Sequence, residues 1–179
     1  MDVLAGLGLS GAAGLNAWLP AFAGALLTRL GVVELGDPFD ELSKTPALIV
    51  LGVLTAADFV GDKVPAVDHV LHTLGGVIAP LSGTVLFTGE TEAALWISLL
   101  AGGSTAGVVH GARAAIRPLS SATTLGAGNP VLSLLEDAGS AALTLFAFVA
   151  PLLAVLALAG LVAAAVVVWR RRRPSGGSA

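Results

Sequence analysis

The chain has 179 residues, 55% of them hydrophobic and only 12% charged, with a mean hydropathy of +0.90; soluble domains carry about 25% charged residues, so lipid is the solvent for most of it. The absence of cysteine excludes disulfides, thiol catalysis and thiolate metal sites. A formal net charge of −3, with no basic patch interleaved with aromatics, gives nucleic acid no footing as a partner.

Aromatic residues are few, with three Trp, six Phe and no Tyr against 23 Gly. Hydrophobicity therefore comes from small and aliphatic side chains, which favours close helix–helix packing over bulky core filling. The predicted class is an all-α polytopic integral membrane bundle.

The first apolar run, about Val3–Leu30, has no positive region before it and reads as a retained span rather than a cleaved signal. Gly6, Ser10 and Gly14 recur every four residues in it, placing small side chains on one helix face where another backbone can approach. Asn16 lies mid-span, four residues before Pro20. Two readings stand for it: a hydrogen bond to another helix, or the wall of a path.

"GDPFDELSKTP" follows as a loop or short interfacial helix, and a second span runs from about Ala47 to Val60. Next comes "FVGDKVPAVDHVLH", which gathers Asp62, Lys63, Asp68, His69 and His72 just after Asp58. At 1.5 Å per residue, Asp58 lies about 17 Å and Asp62 about 23 Å along a helix entered at Ala47. The third span, about Val70–Phe87, is also short for a full crossing. Gly61 and Pro65 break the helix, so the stretch is a candidate re-entrant hinge, tolerated at depth only where buried in protein or lining water. Asp58 and Asp62, four apart, share a face if the helix continues. They could hold a cation or share a proton, with Lys63 as countercharge and His69 and His72 as proton carriers. A surface loop of self-satisfied ion pairs is the alternative, and a bound metal has no strong spacing motif behind it.

"TGETEA" is a turn with Glu90 and Glu92 in water, and a fourth span covers about Ala94–Ile116. Gly103, Gly107 and Gly111 repeat the four-residue spacing there, and His110 and Arg113 lie near its end. After the Ser/Thr/Gly-rich loop "RPLSSATTLGAGNP" one apolar run extends from Val131 to Trp169. A single helix of that length would reach roughly 58 Å, against a bilayer core of about 30 Å. The run is either two spans hinged near Pro151 or one long span. Asn129 reads as N-cap and Pro130 as first helical residue. Ser133, Glu136 and Asp137 follow, the carboxylates about two turns in. Intramembrane carboxylates are functional candidates by default, with Arg113 or Lys63 as partner; a structural salt bridge is the competing reading. Pro20, Pro80 and Pro151 each interrupt a helix ladder.

With six spans, Lys63, Arg113, Arg117 and Arg170 to Arg173 share a side against Arg29 and Lys44; with five the split is six against three. The positive-inside rule prefers six, with both termini cytoplasmic; five is the alternative. Residues 1–169 form one transmembrane domain, with 1–90 and 91–169 as candidate halves of an internal duplication. The repeated Gly spacing and Ala79-Pro80-Leu81 against Ala150-Pro151-Leu152 suggest it. Residues 170–179 read as a basic, disordered cytoplasmic tail able to touch anionic lipid.

"LSGAAGLNAWLP", "DKVPAVD" with a His four residues on, "APLSG" and "GNPVLSLLED" resemble a bacterial integral membrane family described as a domain of unknown function, DUF4126. The resemblance covers roughly residues 5–155. It implies that Asn16, Asp62, Lys63, Pro65, Asp68, His72, Asn129, Pro130, Ser133, Glu136 and Asp137 are characteristic positions. It implies no activity or substrate.

The expected function is a small transporter or channel for a cation or a proton-coupled solute, in a bacterial inner membrane. Asp62, Glu136 and Asp137 would carry charge, Lys63 and Arg113 would be countercharges, and His72 and His110 relays. A chain this small predicts a homo-oligomer, and no cofactor is expected. The alternatives are a non-transporting scaffold, assembly or lipid-organising protein and, less well supported, a membrane-embedded lipid enzyme, which would need a nucleophile or metal beside His72 or His110.

Overall fold

In the computed structural model the first apolar run is two helices, not one. Helix α1 spans Val3–Leu15 and α2 spans Leu19–Arg29. The structure describes residues 2–61, 63, 65–124 and 128–172, with backbone alone at 65–66, 68–69, 72, 118–119, 121–123, 169 and 171–172. Asp2 starts α1, its Oδ1 accepting from the amides of Leu4 at 2.9 Å and Ala5 at 3.3 Å. The chain turns extended at Asn16, with φ −141° and ψ 115°. Asn16 Oδ1 then accepts from the amides of Trp18 and Leu19 at 3.1 and 3.0 Å. Those are orphan donors of the restarting helix, and Pro20, in its first turn, adds none. A single-span reading missed this because Asn16 is one polar residue inside an otherwise apolar run.

The remaining elements are α3 (Phe39–Leu42), α4 (Thr45–Gly61), α5 (Pro65–Thr91), α6 (Leu95–Ser98), α7 (Ser104–Thr124), α8 (Asn129–Val149) and α9 (Pro151–Arg172). A π-helical turn, Leu99–Gly103, joins α6 to α7. The described residues contain no strand, and the all-α bundle is as expected.

Helix α1 is the axle. From Ala5 to Leu15 every residue except Leu7 is buried, and α5, α7, α8 and α9 pack around it. The small face expected at Gly6, Ser10 and Gly14 meets α5 and α7. A Cβ on Gly6 would lie 3.0 Å from Phe87, and one on Gly14 2.6 Å from the Ala106 carbonyl oxygen. The Ser10 hydroxyl lies 2.7 Å from the Gly6 carbonyl oxygen and 2.9 Å from that of Gly83, so it can donate to either. In the fourth span only part of the small-residue face is used. Gly103 is crowded by Thr84 Oγ1 at 2.7 Å, whereas a Cβ on Gly111 would meet nothing within 4 Å.

The long apolar run divides at Pro151. Ala150 leaves the helix, and its carbonyl accepts from Leu153 and Ala154 at the start of α9. Helices α8 and α9 form an antiparallel pair. Ala147 and Ala154, either side of the corner, both crowd Gly8, while Leu132 and Val168, at the far ends, line one groove. Pro20 and Pro151 thus begin helices, and Pro80 alone of the three lies inside one.

Among the described residues, three helices are long and apolar enough to cross a membrane: Leu95–Arg117, Asn129–Val149 and Pro151–Val168. Helices α1 and α4 are apolar but shorter. Large aliphatic side chains stand outward along α4, α8 and α9, for example Val53, Leu135 and Leu156, each about 60% exposed. In water such a surface would aggregate; against hydrocarbon it is at home.

Two predictions follow from this packing. A Cβ on Gly102 would lie 2.3 Å from the Gly83 carbonyl oxygen, and one on Gly83 2.6 Å from that of Gly102. Backbone cannot step aside as a flexible side chain does, so Gly83→Ala or Gly102→Ala costs about 1–3 kcal/mol. Gly76→Ala and Gly160→Ala, in open space, leave stability unchanged or raise it by up to about 1 kcal/mol. Thermal unfolding in detergent separates the two pairs. At the end of α5, beyond the apolar span, burial, with the Asp2 carboxylate adding to it, pushes the Glu90 carboxyl above its ordinary value. Ionising it in the fold is therefore unfavourable. That penalty is present above the raised pKa and relieved as pH falls through it. Glu90→Gln raises the melting temperature at pH 7–8, and the gain shrinks toward pH 5.

Candidate functional site at the helix break

The break in α1 is buried, and it is tied to α8. Asn16, 1% exposed, donates from Nδ2 to Asp137 Oδ1 at 2.9 Å. One side chain therefore uses its amide nitrogen across the bundle and its oxygen along the chain. Of the two readings of Asn16, the interhelical bond is present. The carbonyls near the break are also met: Ser140 donates to Ala12 O at 2.9 Å and Ser82 to Ala17 O at 2.6 Å. Such partners are required where helix-end carbonyls face no water.

Asp137 also faces the α4–α5 corner, where Lys63 Nζ lies 3.9 Å from Asp137 Oδ2. Lys63 donates to the Phe59 carbonyl and sits 3.6 Å from the centre of the Phe59 ring. The corner is tight: α4 ends at Gly61, where a Cβ would meet Leu71 at 2.7 Å, and α5 begins at Pro65. Asp137 lies eight residues into α8, about 12 Å along it. The corner therefore reaches a carboxylate set below the start of α8.

Next to Asp137, Glu136 is clamped by two arginines. Arg113 Nε and Arg117 Nη2 each donate to Glu136 Oε2 at 2.6 Å. The three side chains are 7–9% exposed. Charge-assisted bonds of this kind are the strong ones. The arginines are four apart on α7 and so share a face; Glu136 neutralises a repulsion that burial would otherwise magnify. The expected partners are thus present, Arg113 with Glu136 and Lys63 with Asp137. Arg117 was missed as a site residue, although its four-residue spacing from Arg113 was the available signal.

A cavity of about 230 Å³ adjoins this network, walled by Ala17 and Trp18 from the break, Leu54 and Asp58 from α4, and His110 and Arg113 from α7. His110 is 7% exposed and packs on α5, where a Cβ on Gly75 would meet its ring at 2.6 Å. Arg113 thus serves both the ion cluster and the cavity wall. Ser133 is fully buried one turn before Glu136 and Asp137. Asn129 lies apart, about two turns before Glu136; it is the first residue of α8, with Gly128 in the cap position expected for Asn129. Asp62 lies outside the described residues, as do the side chains of Asp68, His69 and His72. Among the described residues no three His, Asp or Glu side chains gather as metal ligands.

The model of one family matches the chain over residues 3–171, the domain of unknown function DUF4126. The chain belongs to the DUF4126 family. No curated protein and no solved structure matches it significantly. The segments that carried the resemblance hold Asn16, Lys63 and Asp137, which meet at the α1 break, and Glu136, which pairs with Arg113 and Arg117 beside them.

The network carries a stability prediction. Glu136→Gln leaves two buried guanidinium groups facing a neutral amide, and breaking a buried pair this way costs about 3–5 kcal/mol. Asn16→Ala strands a cap and a carboxylate partner and costs about 1–3 kcal/mol. Melting temperatures in detergent fall in that order.

Proposed function

We propose that this protein is a small transporter or channel for a proton, or for a small cation or solute coupled to one, working through the cavity beside the α1 break. The single observation behind the reading is that Asp58 and His110 line one cavity with Arg113, among helices of which one is broken. Titratable side chains inside a membrane bundle are costly to place and mark ion or proton paths. Discontinuous helices at a central cavity are a common plan for such sites. In this reading Asp58 and His110 exchange the proton and Arg113 is the countercharge. In this reading Glu136 and Asp137, each held in an ion pair, fix the helices that shape the path.

The proposal places the protein in a bacterial inner membrane with its C-terminus in the cytoplasm. Lys63, Arg113, Arg117 and Arg170 lie toward one end of the bundle, and cytoplasmic ends carry the excess of Lys and Arg. A cavity of about 230 Å³ is small for a continuous path, and the proposal includes a homo-oligomer.

A second reading, a non-transporting scaffold or lipid-organising protein, is favoured by the clamping of Glu136 between Arg113 and Arg117. Such a clamp resembles a structural joint. Proteoliposomes with an internal pH dye separate the two. Transport predicts proton uptake above that of empty vesicles. It also predicts a loss of about a hundredfold or more in Asp58→Asn with the melting temperature retained, as expected when a positioned proton carrier is removed. Uptake equal to that of empty vesicles removes the transport reading and leaves the scaffold.

A further inference from the structure

We propose that a second hollow, on the outside of the bundle, holds one acyl chain of an anionic phospholipid, with its headgroup at the basic end of α9 where Arg170 is exposed. The inference does not depend on transport.

The hollow is a groove of about 350 Å³ between α7, α8 and α9, with Leu15 of α1 at its floor. That volume lies within the ~300–1,000 Å³ range of small-molecule sites. It exists because the facing side chains are small: Ala112 on α7, Gly139 on α8, and Ala164 and Ala165 on α9. Its walls are aliphatic, and Arg113 and Glu136, the charged groups that line it, are bonded to each other. Water entering would find few partners beyond an ion pair already made. Leu135 beside it is 64% exposed, so the groove opens outward on the face where hydrocarbon would lie.

The groove also has a direction. It follows α9 from Leu161 to Val168, about 10 Å along the helix. Two residues past Val168 stands Arg170, exposed, and the sequence continues Arg171, Arg172, Arg173. An apolar channel leading to a run of cations matches one molecule shape, a hydrocarbon tail below a negative head. A second copy of the chain is the poorer fit, because a symmetric contact along α9 would bring two arginine runs together.

The experiment uses the full chain in mild detergent, offered phosphatidylglycerol and phosphatidylcholine with identical acyl chains and read by native mass spectrometry. The expected result is one retained phosphatidylglycerol, preferred over phosphatidylcholine by about tenfold or more. Ala164→Phe, which fills the groove from an exposed position, loses the adduct. Changing Arg170, Arg171 and Arg172 together to Gln brings the two lipids to parity. If Ala164→Phe does not fold, the wild-type chain is irradiated with a phosphatidylglycerol carrying a photoreactive acyl chain, and labelling is expected at Leu135, Leu161 and Ala165. Equal retention of both lipids by the wild type overturns the proposal. So does retention by a folded Ala164→Phe variant, a lipid-free dimer, or labelling spread evenly onto the exposed face of α4 at Val50 and Val53.

Discussion

A single helix of small residues, buried on all sides, governs this structure. In a bilayer there is little hydrophobic gain from bringing helices together, because lipid tails are as apolar as leucine. Association depends on contact area, and contact area depends on how closely backbones approach. Helix α1 solves this with Gly6, Gly8, Gly11 and Gly14, which between them receive side chains or backbone from α5, α7, α8 and α9. Gly11 receives Leu158, and Gly8 receives both alanines flanking the α8–α9 corner. An axle of this kind gives four helices one reference, and their side chains then fall into fixed register.

The axle is short, 13 residues, or about 20 Å. Its end therefore falls inside the bundle, and with it a set of unsatisfied backbone groups. Polar residues gather there for that reason. Asn16, Ser82 and Ser140 answer amides and carbonyls at the break, and Asn16 brings in Asp137. A buried carboxylate then calls for cations. Lys63 arrives from the α4–α5 corner, and next door Glu136 is matched by Arg113 and Arg117. One unwound turn thus accounts for much of the buried charge. Buried ion pairs add little net stability over an apolar replacement, but they strongly penalise any packing that separates the partners. They act here as register pins between α7 and α8 and between the α4–α5 corner and α8.

Arg113 occupies a position between two spaces. On one side it walls the inner cavity with Asp58 and His110; on the other it meets the outer groove together with Glu136. Any shift of α7 that changes the Arg113–Glu136 bond therefore alters both spaces at once. The break in α1 adds Ala17 and Trp18 to the cavity wall. The break that Asn16 caps thus helps to shape this cavity.

The sequence by itself determined the solvent, the helical class, the family and the small-residue face of α1, because composition and four-residue spacing are local properties of the chain. It also named most of the charged partners, since an intramembrane carboxylate restricts its partners to the few cations available. Arg117 escaped because it was weighed only in the balance of positive charge between the two sides of the membrane. Tertiary structure alone decided three things. Helix α1 ends at Asn16, which hydropathy cannot reveal because Leu15, Ala17 and Trp18 remain apolar; the break is set by where Asp137 lies on another helix. The run from Val131 to Trp169 folds back at Pro151 because α1 offers Gly8 as a seat for both arms. Asp58 and His110, 52 positions apart, share a cavity only because α4 and α7 both pack against α5. Spacing along a chain fixes a helix face, but which faces meet depends on packing among helices distant in sequence.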